Sequence, residues 1–138
     1  EHFVSHIIRQ KLSAAIDQLP EPKSNGKKTI LFLPEGEYHE IGLLFFAYLY
    51  RKRGDIVYYF GQSVSTEQIC KASQKIKPHF VVTYCVVRPK TGVQNMLKSL
   101  SGCEAEQIYF LQNQKQAKMH LDYPANVKVI SSLTDLGF

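Results

Sequence analysis

The chain has 138 residues, 44% of them hydrophobic, enough for one domain with a real core and one appended element but not for two full domains. Its formal charge of +5 comes from lysines and arginines scattered along the whole length, which speaks for a solvated surface and against a nucleic-acid-binding stripe. The three cysteines, Cys70, Cys85 and Cys103, are odd in number and lack C-x-x-C spacing, so neither a disulfide framework nor a zinc site is indicated and a reducing cytoplasm fits best. No apolar run is long enough to span a bilayer, so no membrane partner is expected. Glu1-His2 neither begins a secretory signal nor supplies an initiator methionine, and a fragment of a longer protein is expected.

Phe3, Val4, Ile7, Ile8, Leu12, Ala15, Ile16 and Leu19 recur at three-four spacing, which predicts an amphipathic helix over residues 3–19 that ends before Pro20-Glu21-Pro22. Its apolar face needs cover, from the following domain or from helices upstream. Ser24-Asn25-Gly26 marks a polar connector. The apolar run 29–33 reads as a first strand, and residues 41–53, apolar nearly all round and stopped by Gly54, as a largely buried helix with Phe45 and Phe46 in the core. Residues 56–60 are β-branched and aromatic, hence a second strand with Gly61-Gln62-Ser63 as its loop. Ser65 or Thr66 caps a helix reaching about Lys77, and Pro78 breaks it.

Residues 79–87 form the most apolar strand, suited to the sheet centre with Cys85 buried at its end. A helix carrying Val93, Met96, Leu97 and Leu100 follows, then a strand over 107–111, a weak helical stretch over 114–121, a strand over 127–130 and a short last helix over 133–136 capped by Ser131-Ser132. Strands alternating with helices at this spacing predict a flavodoxin-like, Rossmann-like α/β fold. It is a doubly wound five-stranded parallel sheet in the order 2-1-3-4-5, preceded by one amphipathic helix. His6 and His79 read as surface and strand-entry residues, and His120 has no assignable role.

The first strand-to-helix loop carries Glu35-Gly36-Glu37-Tyr38-His39-Glu40-Ile41-Gly42, at the carboxyl end of a strand where ligands bind in such sheets. Residues two apart in an extended loop point the same way, so Glu37 reaches the imidazole of His39, sets its tautomer and strengthens its other nitrogen as a ligand. Gly42 has no β-carbon to hinder a ligand approaching the helix start. Without further context such a histidine is a solvated surface residue; with it, the group suits a single axial ligand to a metal. His39-Glu40 opens like H-E-x-x-H, but Leu43 stands in the fifth position and that motif fails. G-x-G-x-x-G and G-x-x-x-x-G-K-[ST] are absent, and no aspartate ends the third strand as a phosphoacceptor would require.

Glu37-x-His39-x-x-Gly42 resembles the cobalamin-binding signature D/E-x-H-x-x-G, in which the histidine replaces dimethylbenzimidazole as lower axial ligand to cobalt. The run 33–43, continued by Tyr59-Phe60-Gly61-Gln62-Ser63-Val64, resembles the cobalamin-binding region of MerR-type transcriptional regulators. Glu1-His2 is similar to the end of the W-x9-E-H signature that caps the upper cobalamin face in the light-sensing members. The resemblance implies residues 1–20 as the last helix of an upstream bundle, 21–27 as a linker and 28–138 as the cobalamin domain. It implies cobalt on His39, Glu37 as that histidine's partner, Glu1 and His2 toward the upper ligand, and adenosylcobalamin as cofactor. It further implies a light-responsive homo-oligomer that reaches DNA through a domain outside this chain.

Two departures accompany the resemblance. The family's S-x-L would fall near Thr83-Tyr84-Cys85-Val86, where Thr83 supplies the nearest hydroxyl, and its Gly-Gly near Leu111 to Gln114, where the chain reads Leu-Gln-Asn-Gln. The alternative is therefore a degenerate domain that serves as a dimerisation or protein-interaction module without cofactor. No nucleophile is paired with a base, and enzymes using this loop need a catalytic barrel elsewhere, so no enzyme is expected.

Overall fold

The structure, a computed structural model, describes residues 2–138. Five parallel strands, β1 (Lys28–Pro34), β2 (Ile56–Val64), β3 (Phe80–Tyr84), β4 (Gln107–Leu111) and β5 (Val127–Ile130), lie in the order β2-β1-β3-β4-β5. This is the topology that the alternation of elements predicts. In β1, Ile30 and Phe32 enter one core and Leu31 and Leu33 the other, all fully buried, as a strand covered on both faces requires. Each such side chain contributes about 1.5–3 kcal/mol of burial.

Helices α3 (Thr66–Ile76) and α4 (Lys90–Leu100) cover one face through Ile69, Val93, Met96, Leu97 and Leu100. Helix α2 (Ile41–Arg53) covers the other through Leu43, Phe46, Ala47 and Tyr50, joined by Leu136 of a terminal 3₁₀ turn, Leu133–Leu136. Gly54 stops α2 in the left-handed region at φ 99°, its amide bonded to the Arg51 and Tyr50 carbonyls, and Ser65 caps α3 by accepting from the Gln68 amide.

Several element ends differ from expectation. Strand β2 continues through residues 61–63 because Gly61 (φ 81°) and Ser63 (φ 53°) absorb register shifts against β1 and keep the strands paired. Strand β3 stops at Tyr84, since the next free amide in line, Val86 N–H, turns to the Glu37 carboxylate. Helix α5 is one turn, Gln114–Ala117, closed by an Asn113–Gln116 capping box.

The expectation of unpaired cysteines is corrected: Cys70 of α3 and Cys103, just beyond α4, form a disulfide. Spacing along the chain conceals this pair, because the cysteines are 33 residues apart and meet only when both helices pack on the same sheet face. Cys85 is free and buried.

Helix α1 (His2–Asp17) packs across α2 and has no buried residue. Ile16 touches the α2-side core, while Phe3 (75% exposed), Val4, Ile7 and Ile8 face outward. The sheet domain thus covers only the C-terminal part of the apolar stripe. Among the described residues, no helix is long and apolar enough to cross a membrane.

Candidate functional site

The loop between β1 and α2 turns sharply after Pro34: Gly36 sits at φ 81° and the Glu37 amide bonds to the Pro34 carbonyl at 2.9 Å. This turn drives the Glu37 side chain inward, to 4% exposure. There its Oε1 accepts from the amides of Tyr38 (3.0 Å) and His39 (3.1 Å), and its Oε2 accepts from Val86 N–H of the β3–α4 loop (2.6 Å). Burial pushes the carboxyl upward, but the Val86 amide and the His39 ring and amide outweigh it and hold Glu37 below the ordinary carboxylate range. Oε1 also meets Nδ1 of His39 in a short contact. A carboxylate only accepts, so Nδ1 donates to Glu37, and in the neutral ring Nε2 is the nitrogen with the lone pair. The imidazole is 62% exposed and lines a cleft of about 750 Å³.

The cleft lies at the carboxyl ends of β1, β3 and β4. His2, Ser5 and Arg9 of α1 form one side, and Cys85, Val86, Leu111, Gln112 and Asn113 the other. Arg9 of α1 faces Glu40 at 3.6 Å, and Glu40 also accepts from the Tyr59 hydroxyl at 2.8 Å. The helix is thus tied to the residue next to His39. Of the residues expected at the site, the structure brings His2, His39 and Gly42 to the cleft, with Glu37 directly behind His39. Glu1 lies outside the described residues.

Thr83 is the expected site residue that does not line the cleft. Strand alternation sends it to the α3–α4 side with Val81 and Cys85, where it is fully buried with its Oγ1 unpartnered. Tyr84 takes the cleft side. Its hydroxyl donates to the His39 carbonyl at 2.5 Å, and burial pushes its phenol up to about 12. Gly42 is explained by this ring, since a β-carbon there would stand 2.7 Å from the Tyr84 oxygen and 3.2 Å from its Cζ. Gly42 thus accommodates a tyrosine of the protein itself, while it also lines the cleft.

Phe45 also departs from expectation: Phe46 is core, but Phe45 is 39% exposed and lines the cleft. On the far wall, Asn113 Nδ2 donates to Val86 O (3.2 Å), and Gln116 Nε2 donates to Cys85 O (2.7 Å). Val86 therefore links three strand-end loops, donating to Glu37 and accepting from Asn113. Burial pushes the Cys85 thiol up to about 11, so it is neither a thiolate nucleophile nor a ready metal ligand near neutral pH. Period-two alternation from Val82 marks Tyr84 as facing α2; nothing local marks Val86 or Asn113.

Among the described residues, no three His, Cys, Asp or Glu side chains come together to hold a metal ion. A lone imidazole with a free nitrogen suits one axial position of a metal whose other ligands come from a macrocycle.

No family model matches the chain. Over 81 residues it is 31% identical to the HTH-type transcriptional repressor CarA of Myxococcus xanthus, a match covering 59% of this chain and 28% of the repressor. Among solved structures it is similar to a cobalamin-binding protein from Desulfitobacterium hafniense, with a TM-score of 0.54, 17% identity, and coverage of 74% of this chain and 54% of that one. It is also similar to the methanol:cobalamin methyltransferase complex MtaBC of Methanosarcina barkeri, with a TM-score of 0.64, 21% identity, and coverage of 86% and 46%. The chain spans about a quarter of the repressor and about half of each solved chain. Its five-stranded parallel sheet in the order 2-1-3-4-5 thus has the fold of solved cobalamin-binding proteins.

Proposed function

We propose that the chain is the cobalamin-binding sensory domain of a MerR-type transcriptional regulator. The observation that carries this reading is the Glu37–His39 pair at the mouth of a cleft flanked by α1. The donor set fits a cobalt corrinoid on its ring side: His39 Nε2 is free to hold the lower axial position, and Glu37 orients and polarises the imidazole from behind. In this reading His2, Ser5 and Arg9, which line the cleft, would face the upper ligand. On the nucleotide side Tyr84 stands over Gly42 and narrows the cleft.

When bound, adenosylcobalamin would supply a light-labile cobalt–carbon bond, and His39 would hold the cobalt. The chain's part is to convert loss of that bond into movement of α1, whose Arg9 is tied to Glu40 beside His39. Repositioning α1 alters the exposure of Phe3, Val4, Ile7 and Ile8 and so self-association, a two-state change set by differential contacts. DNA is reached through a domain outside this chain, a context supported by the repressor match. The chain is read as non-catalytic, since enzymes that use this loop need a catalytic barrel elsewhere and burial disfavours the Cys85 thiolate.

The test is an absorption titration of the purified chain with adenosylcobalamin and hydroxocobalamin, in the dark and after illumination, beside His39→Ala. A spectral shift present in the parent and lost in the variant is expected; a variant that binds with an unchanged spectrum overturns the ligand assignment. A second reading, a cofactor-free dimerisation module, is favoured by Tyr84 in the Gly42 slot and the uncovered stripe of α1. It predicts no spectral change with either compound, together with self-association through α1.

A further inference from the structure

When a protein histidine takes the lower face of a cobalamin, the nucleotide arm it displaces stays tethered to the ring edge on the histidine's side. The arm must then enter the protein beside His39 or remain along the surface. Two features narrow the route inward along the cleft wall. Tyr84 is 7% exposed, packs against Phe46 at 6.3 Å between ring centroids, fills the slot over Gly42 and bonds to the His39 carbonyl. On the wall of the same cleft, Asn113 bridges to the Val86 carbonyl while Val86 N–H is held by Glu37, so the β1, β3 and β4 loops are laced together beside Tyr84. Interiors packed this tightly do not part for a bulky group without losing those contacts.

Resting on the corrinoid reading above, we propose that the cleft takes the corrin ring on His39 and leaves the nucleotide arm outside the domain, with Tyr84 as the specificity-determining residue. The site therefore does not favour intact cobalamins. Cobinamides, which carry the same cobalt and ring without the nucleotide, bind at least as tightly, because no tethered base competes with His39. Specificity of this kind is a difference of two affinities, set here by what the protein refuses room to.

The experiment is a pair of titrations of the whole chain, one with hydroxocobalamin and one with diaquacobinamide, read by absorption and by calorimetry, with Tyr84→Phe and Tyr84→Ser alongside. The expected result is a cobinamide affinity equal to or above that of hydroxocobalamin in the parent and in Tyr84→Phe, which keeps the ring. In Tyr84→Ser the hydroxocobalamin affinity is expected to rise roughly tenfold, with cobinamide unchanged. Hydroxocobalamin binding roughly tenfold or more above cobinamide in the parent overturns this inference while leaving histidine ligation intact. Failure of the parent to bind either compound overturns the corrinoid reading, and this inference with it. The parent comparison decides the matter even where Tyr84→Ser does not fold.

Discussion

At the residue scale the site rests on one carboxylate with more donors than a neutral side chain can serve. Glu37 accepts from three backbone amides and faces the His39 ring. A glutamine has one acceptor oxygen, so Glu37→Gln leaves buried donors unsatisfied at about 1–3 kcal/mol each. Because the folded-state carboxyl lies below its ordinary value, its contribution is complete above the unfolded carboxylate range and is lost as pH falls through the folded value. Urea unfolding measured from pH 7 to pH 3 is expected to show a stability loss in the parent that Glu37→Gln has already incurred at pH 7. A parallel decline in both proteins would sink the assignment. The local pair was legible because Glu37 and His39 are two residues apart. The contact of Gly42 with Tyr84 was not, since sheet assembly brings that ring beside it.

At the element scale, helix α1 carries a full amphipathic pattern yet buries none of its residues. The contact between Arg9 and Glu40 is partly exposed, so it contributes no more than about 1 kcal/mol. The exposed apolar stripe of α1 is the surface that the proposed self-association would use. Phe3→Ser with Ile7→Ser is expected to leave the unfolding free energy within about 0.5 kcal/mol of the parent, as for exposed positions generally, and to lower self-association in sedimentation velocity. A loss of stability with unchanged association would place the stripe in the fold instead. Periodicity revealed this helix and the stop at Gly54. It did not reveal the continuation of β2, because Gly61 and Ser63 read as a turn until β1 pairs alongside them.

At the scale of the whole molecule, the Cys70–Cys103 disulfide closes a loop of 33 residues and staples the α3–α4 layer. Ser73 of α3 adds to this by accepting from the Glu104 amide at 3.0 Å. A loop of this size stabilises by about 2–4 kcal/mol, mainly by restricting the unfolded chain. Reductant, or the double change Cys70→Ser with Cys103→Ser, is expected to lower the unfolding free energy by that amount, and the denaturation midpoint with it, with the fold retained by circular dichroism. An unchanged midpoint would remove the disulfide from the stability of this domain.

The sequence by itself determined the alternation of strands and helices, the strand order that follows from it, and the Glu37–His39 pair, because each is written in steric and hydrophobic preferences acting over a few residues. Tertiary structure decided that Tyr84 and not Thr83 faces the cleft, that Phe45 lines it, that Val86 joins three loops and that Cys70 meets Cys103. Those outcomes depend on which sheet face and which strand end each side chain reaches. That choice is made only when segments far apart in the chain pack against one another.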